Sequence, residues 1–430
     1  MQRRTKMLAA AVLAVGAIGL TACSSGGGSG ASALTAKGPI TIWYSNNAQE
    51  VTWGKQMVAS WNSSHPDEKV TGQEIPAGKT SEEVIGASIT AGNSPCLIYN
   101  TAPSAVGQFE KMGGLVDLSK FSDGDKYIEA RSGATADQYK SADGDYYQLP
   151  WKSNPVMIFY NKDLFAKAGL DPNAPKLSTY ADFIATSKAL VSSGAATAAI
   201  WPAPTSEFFQ STFDFYPLYA AESGGKQLVS ADGKSTFADQ AGYDVADFWR
   251  TMYADKLSGQ EKYNGDSFAD GKAAMSIVGP WAVSVYKDVN WGAVPVPTKD
   301  GMPASDIHTF SDAKNVGMYT ACKNQGTAWD FLKYSTSSAQ DSKLLDVTGQ
   351  MPIRTNLATT YASYFSANPS YKLFGDQAAR TVEVPSGSNT VAELQAFRDN
   401  WSNAVIFGKG DVKSSIDDSA KKIDQLAAQK

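Results

Sequence analysis

From Pro39 onward, short apolar runs alternate with stretches whose apolar residues recur at helical spacing. Pro39-Ile40-Thr41-Ile42-Trp43-Tyr44 is a strand-like run. Gln49 to Trp61 then places Trp53, Met57 and Trp61 at i, i+4 and i+8, one face of a helix. Val70 to Ile75 predicts a second strand. A helix is expected to begin near Thr80, where Thr80 and Glu83 have capping-box spacing. Cys96 to Tyr99 reads as a short buried strand and Ser104 to Met112 as a helix. This βαβαβα rhythm predicts an α/β lobe with a largely parallel sheet.

The rhythm then changes. Asp143-Gly144 predicts a hairpin turn, and Val156 to Tyr160 an apolar strand. Helical patterns cover Lys162–Ala168, Thr179–Val191, Glu207–Ala221 and Gly242–Tyr253. Strands follow at Ala273–Val278, Trp291–Val296 and Asn315–Thr320, then a helix at Thr327–Tyr334. The remainder reads as helical, so a second lobe richer in helix is expected.

The first 38 residues belong to neither lobe. Arg3, Arg4 and Lys6 precede an apolar run from Met7 to Leu20, too short to span a membrane and typical of a secretory signal over residues 1–22. Leu20-Thr21-Ala22-Cys23 resembles the lipobox of bacterial lipoproteins, in which the Cys is diacylated and becomes the mature N-terminus. The alternative is an ordinary signal peptide with an incidental Cys. Residues 24–38 are Gly/Ser-rich without apolar periodicity, and are expected to form a flexible tether with a reach of roughly 20 Å. The location implied is the outer face of the bacterial membrane.

Composition removes several classes of function. Of 430 residues, 38 are Lys or Arg and 43 are Asp or Glu, a net charge of −5 that gives no basis for phosphate neutralisation, so no nucleic-acid partner is expected. Only His65 and His308 occur, which rules out a histidine-rich metal site. Gly78-Lys79-Thr80 and Gly233-Lys234-Ser235 lack the upstream Gly of a P-loop. Asp123-Gly124-Asp125 and Asp143-Gly144-Asp145 do not continue into a calcium loop, and turn chemistry is the expectation for both. Asp266 and Asp270 could do glycosidase work, but pairs at this spacing arise by chance among so many acids. No catalytic residue, metal or cofactor is called for.

Aromatic residues carry the positive signal. Trp53, Trp61, Trp249, Trp329 and Trp401 fall in helical apolar patterns and are read as core. Trp151, Trp201 and Trp281 instead stand beside prolines at expected strand ends or helix starts. Such positions face a crevice more often, and a flat ring suits the apolar face of a sugar. For each one, packing remains as reasonable as ligand contact.

Several landmarks occur together. They are Ile40-Thr41-Ile42-Trp43, Ile158-Phe159-Tyr160-Asn161-Lys162-Asp163-Leu164-Phe165, Phe268-Ala269-Asp270-Gly271-Lys272-Ala273-Ala274-Met275, Gly279-Pro280-Trp281 and Trp329-Asp330-Phe331-Leu332-Lys333-Tyr334. In order and spacing they resemble the extracellular solute-binding lipoproteins of carbohydrate ABC importers, the maltose-binding-like family. The resemblance covers residues 39–430. It implies a periplasmic-binding-protein type II fold, two α/β lobes joined by crossing strands and closing on an oligosaccharide. The lobes would be 39–155 with 313–345, and 156–312 with 346–430, hinged at Val156–Ile158 and Phe310–Asp312. The implied partners are the permease subunits with their ATPase, and a monomer is expected. A lipid-anchored, secreted glycan-hydrolysing enzyme is the alternative.

Carried over residue by residue, the ligand set is Tyr44, Asn46, Asn47 and Glu50, then Tyr99 and Asn100, then Trp151, Lys152 and Asn154. The second lobe would add Trp201, Glu207, Gly279 and Trp281, the second crossing Phe310, Ser311 and Asp312, and a late loop Gln350 and Arg354. Cys96 and Cys322 depart from the family pattern. The topology borrowed from the family places their two strands side by side, which implies a disulfide, whereas two buried free thiols are the alternative. The lipobox gives a first test. Cys23→Ala should release the protein into the medium with sugar affinity unchanged, and mutant protein retained on membranes would refute lipidation at Cys23.

Overall fold

The computed structural model describes residues 33–45, 47–77, 80–202, 210–230, 233–384 and 386–429. The chain enters through β1 (Ile40–Tyr44), β2 (Val70–Glu74) and β3 (Leu97–Thr101), with helices Ala48–Ser64 and Ser81–Thr90 as crossovers. β4 (Leu149–Ser153) and β5 (Met157–Asn161) are separated by three residues. β6 (Ala198–Ile200), β7 (Ala273–Val278) and β8 (Trp291–Val294) follow, then β9 (Thr309–Phe310) and β10 (Lys314–Met318). The last strands are β11 (Met351–Pro352) and β12 (Thr381–Val382).

Two sheets form from these strands. One has the order β11-β4-β10-β3-β1-β2 and the other β6-β7-β5-β8, with β9 and β12 pairing separately. β1 runs parallel to both β2 and β3, as the sequence rhythm predicts, while β10 returns antiparallel between β3 and β4. The architecture is therefore two α/β lobes, and the chain passes between them at 154–156, at 311–313 and after β11.

The central strands are covered on both faces, and β1, β3, β5 and β7 read as largely apolar runs. Ile42, Tyr44, Leu97 and Tyr99 pack with Trp53, Met57 and Phe331 on one side of the first sheet. Trp43 and Ile98, one residue out of phase, pack with Ile85, Val106 and Phe109 on the other. The second sheet repeats the alternation. Ile158 and Tyr160 enter the larger core, with Phe183, Phe215, Trp249 and Trp401, whereas Met157 and Phe159 pack with Phe268 and Phe374. The helix start is as expected: Thr80 is the N-cap, its Oγ1 accepting the Glu83 amide at 3.1 Å at the head of Ser81–Thr90.

Three boundaries differ from expectation. The tether does not extend to residue 38. Residues 1–32, including Cys23, lie outside the described residues, but 33–38 are folded onto the first lobe. Leu34 packs against its core, Thr327 N donates to Ala36 O at 3.3 Å, and Lys37 pairs with Asp330. The Gly/Ser density ends before Leu34, and the apolar side chains after it find a surface. Second, helix Ser338–Thr348 and β11 stay with the first sheet, so the last crossing falls after Pro352 rather than at 345/346. Third, Met157 and Ile158 already belong to β5, which moves the first hinge candidate back to 154–156.

Cys96 and Cys322 form the disulfide, with Cα atoms 4.5 Å apart across 226 residues of sequence. Cys96 precedes β3 and Cys322 follows β10. The antiparallel pairing brings them together, and Tyr319 N donates to Cys96 O at 3.0 Å. Closing so long a loop stabilises a chain by ~5 kcal/mol in entropy models. Intact mass should show two thiols appearing only after reduction, with a lower urea midpoint for the reduced protein. Free thiols alkylated without reductant would refute the bridge.

Candidate functional site

The carboxyl ends of β1, β3 and β4 and the amino ends of β10 and β11 all lie at one end of the first sheet. In an α/β sheet that end is where ligands bind. Here the second lobe closes over it. Ser284 Oγ donates to Gln49 Oε1 at 3.2 Å between the lobes. On another flank, helix Pro103–Lys111 meets the loop at 386–387 so closely that a Cβ on Gly107 would sit 2.6 Å from Gly387 O.

Between these contacts lies a cavity of about 290 Å³. Ser81, Asn100, Ser104 and Lys314 line it from the first lobe, and Phe213, Phe310, Glu383 and Leu394 from the second, with Asp312 on the crossing. Phe213 stands 5.9 Å from Phe310 and 6.1 Å from Trp281, edge to face with both. Asn100 and Asp312 hold φ of 64° and 39°, left-handed backbone that costs a non-glycine residue energy and that collects at functional sites. Lys314 Nζ meets Asp312 Oδ1 at 2.7 Å. Burial alone would lower the Lys314 pKa, but the pairing with Asp312, together with the nearby Glu383 and Glu82, raises it.

A second group of expected ligand residues comes together behind this cavity. Lys152 Nζ donates to Glu50 Oε1 at 2.5 Å and to Gln350 Oε1 at 2.6 Å, while Gln350 Nε2 donates to Glu50 Oε1 at 2.8 Å. All three are buried, and Glu50 also sits in the first turn of Ala48–Ser64, where the helix dipole favours its charge. Burial pushes the Lys152 pKa down, against the upward pull of Glu50. The triad ties a helix start, β4 and the approach to β11, and it fixes the floor of the site from within the first lobe.

Other expected contacts go elsewhere. Trp151 is 1% exposed and packs between Trp53 and Tyr99, with ring centroids 5.1 and 5.3 Å away, so it is core and not a stacking platform. Tyr99 points its hydroxyl at Ser335 Oγ, 2.6 Å away inside the first lobe. Tyr44 is buried against Gly54 and Gly72. Trp201 bonds Glu261 O at 2.8 Å and packs beside Tyr263, away from the cavity. Arg354 is bound to Asp341 Oδ2 and Thr336 O, both at 2.8 Å. It lines a separate 570 Å³ cavity near the last crossing.

Asn47 caps its helix by accepting from the Gln49 and Glu50 amides. Asn154 and Ser311 are crossing residues, bonded to Asp312 O and Ser153 Oγ. Gly279 leaves room for the Trp281 ring, which a Cβ would meet at 2.1 Å. Asn46 and Glu207 lie outside the described residues. Asn100, Phe310 and Asp312 are thus the expected residues that line the cavity.

Phe213, Lys314 and Glu383 were not anticipated. Phe213 sits in an apolar helical run that reads as core. Glu383, between Val382 and Val384 just past β12, is a visible signal, a carboxylate flanked by apolar residues. The carboxylates of the hydrolase alternative are occupied by turn chemistry: Asp266 Oδ1 accepts the Phe268 and Ala269 amides, and Asp270 the Tyr263 hydroxyl. Among the described residues no cluster of His, Cys, Asp or Glu could hold a metal.

The buried triad yields a prediction. Lys152→Met strands the Glu50 charge and should cost about 3–5 kcal/mol in urea unfolding. Glu50→Gln added to it should recover part of that loss. A single mutant as stable as the wild type would show that the pair is not buried as described.

The chain also matches known proteins over most of its length. It is 25% identical to the maltooligosaccharide ABC transporter solute-binding lipoprotein of Streptococcus pneumoniae (strain ATCC BAA-255 / R6), over 79% of this chain and 78% of that one. It is likewise 25% identical to the diacetylchitobiose binding protein DasA of Streptomyces coelicolor, over 73% and 72% of the two chains. The crystal structure of the cyclic alpha-maltosyl-1,6-maltose binding protein from Arthrobacter globiformis superposes with a TM-score of 0.77 at 19% identity, covering 92% of this chain and all of that one. Residues 45–341 match the family model described as bacterial extracellular solute-binding protein, and the chain belongs to that family.

Proposed function

We propose that the protein captures an oligosaccharide between its lobes outside the cell and delivers it to an ABC-type sugar importer. The observation that carries this reading is the cavity shared by both lobes, with the rings of Phe213 and Phe310 beside Glu383 on one wall and amide, hydroxyl and charged groups on the other. That division suits a sugar ring, whose faces are apolar and whose rim is hydroxylated. The maltooligosaccharide and diacetylchitobiose specificities of the relatives point to the same ligand class. A lipid on Cys23 would hold the protein at the membrane beside its permease, consistent with the lipoprotein among its relatives. Among the described residues no helix is long and apolar enough to cross a membrane.

A ligand touching both lobes favours the closed state only through contacts made there. The crossings at 154–156 and 311–313 are the pivots of that motion. A glycan array read by thermal shift, followed by analysis of the sugars, tests the reading. Oligosaccharide should raise the melting temperature and be recovered uncleaved, and cleaved sugar would favour the hydrolase. Phe213→Ala should weaken binding of the selected sugar by about 1 kcal/mol or more. Unchanged affinity in a folded Phe213→Ala protein would place the sugar elsewhere.

A further inference from the structure

The 570 Å³ cavity near the last crossing is larger than the one assigned to the sugar, and the two share no lining residue. Its volume is that of a small-molecule site, about 300–1,000 Å³. The first lobe supplies Ser132, Gly133 and Ser153 to its wall. The second supplies Leu357 and the stretch from Gly375 to Thr381. Leu357 and Phe374 pack with Met157 and Phe159 of β5, which places those segments on the second sheet. Ser153 Oγ meets Ser311 Oγ at 2.8 Å, and the next residue, Asp312, lines the first cavity. The paired crossings therefore stand between the two cavities.

Charge distinguishes this second cavity. Arg354 and Arg380 line it, against one acid, Asp376, whose carboxylate is held by Lys372. Arg354 is bonded to Asp341, but Arg131 already answers Asp341 through both oxygens, at 3.0 and 3.2 Å. Two guanidiniums thus share one carboxylate, and one positive charge is left over. Arg380 meets no carboxylate among the described residues. Its guanidinium donates to Ile307 O, Asp376 O, Ala304 O and Gln377 Oε1, neutral acceptors at 3.1–3.4 Å. Both arginines are partly withdrawn from water, where a counter-charge attracts more strongly than on an open surface. In a chain of net charge −5 this local excess does not follow from composition.

Donors also remain unspent. The bonds of Arg354 run through Nε and Nη2, which leaves Nη1 without a partner among the described residues. Ser132, 4% exposed at the wall, has a hydroxyl that bonds nothing in the protein. Thr355, Asn356 and Thr359 stand on the exposed rim. Guanidinium is planar, always charged, and matched in its donor geometry to phosphate and carboxylate oxygens.

We propose that this cavity is a second ligand site, for a small molecule bearing a polyvalent oxyanion, with Arg354 and Arg380 as its cations. A bare phosphate would leave most of the cavity unfilled, so the oxyanion belongs to a larger polar molecule whose remainder meets the rim hydroxyls. A phosphate ester and a polycarboxylate present this chemistry equally. The site does not depend on what occupies the first cavity.

The test is calorimetric titration of the protein, free of saccharide and at constant ionic strength, with glycerol 3-phosphate, with citrate, and with uncharged glycerol as control. One or both anions should bind and glycerol should not, and the anion that binds tells the ester from the carboxylate. Ala358 is an exposed lining residue on Leu357–Thr360, so Ala358→Glu adds a carboxylate without removing a guanidinium bond. It should weaken anion binding about tenfold or more. Arg380→Gln should weaken it too, with melting temperature read alongside because Arg380 also ties down the 304–307 segment. Lys188→Gln removes an exposed cation outside the cavity and should leave anion affinity unchanged. Absence of binding by both anions overturns the proposal. So does binding that survives Ala358→Glu unchanged, or that falls equally in Lys188→Gln.

Discussion

Between Ser153 and Met157 the chain has three residues in which to leave one sheet and begin another, and the two-lobed architecture depends on how those residues are held. Backbone polar groups in a buried crossing need partners as much as those in a strand. The first crossing finds them in the second: Asn154 N donates to Ser311 O at 2.6 Å and Val156 N to Phe310 O at 3.1 Å. Thr309 Oγ1 and the Ser153–Ser311 hydroxyl pair complete the seam. The two crossings are therefore one ladder, continuing β4 and β10 toward the second lobe.

The last crossing is held differently, by charge. Arg131, 2% exposed, donates to Pro150 O, Trp151 O, Thr336 O and Ile353 O and pairs with Asp341, which also binds Arg354. One guanidinium thus satisfies carbonyls from three segments that converge where β4 meets β11. A buried ion pair is weak evidence for net stability but a strong constraint on geometry, because any rearrangement leaves a charge unpaired. The Lys152–Glu50–Gln350 triad applies the same constraint a few residues away. Between them they make the first lobe a rigid platform beneath the cleft.

Much of the fold was legible because the central strands of both sheets are buried on both faces, so β1, β3, β5 and β7 stand out as apolar runs and the helices as periodic ones. The disulfide was legible once the resemblance supplied the strand order. The site was less so, for a definite reason. Trp151 and Trp281 have similar local settings, each beside a proline at an element boundary. Only the tertiary structure shows that Trp53 and Tyr99 enclose the first, while the second contacts Phe213 beside the cavity. Glu50, Lys152 and Gln350 were expected as ligand contacts from three segments, yet they bond to one another as a buried brace. Residue type in a strand-end position signals proximity to the site, but the direction of the side chain depends on neighbours far away in sequence.

The strands β3 and β10 show how the fold separates rigidity from function along a single pair. At one end Cys96 and Cys322 lock them covalently. At the other, Asn100 and Lys314 line the cavity. The ladder between them carries an irregularity between Asn315 and Gly317, close to the cavity end. A register shift there re-aims the residues that follow, and it is tolerable because the far end cannot slip. Asn100, Asp312 and Lys314 can then hold unusual backbone and paired charge at the cavity between the lobes. The bridge fixes the strands at the end away from the cavity, and the irregular ladder leaves freedom at the end that lines it.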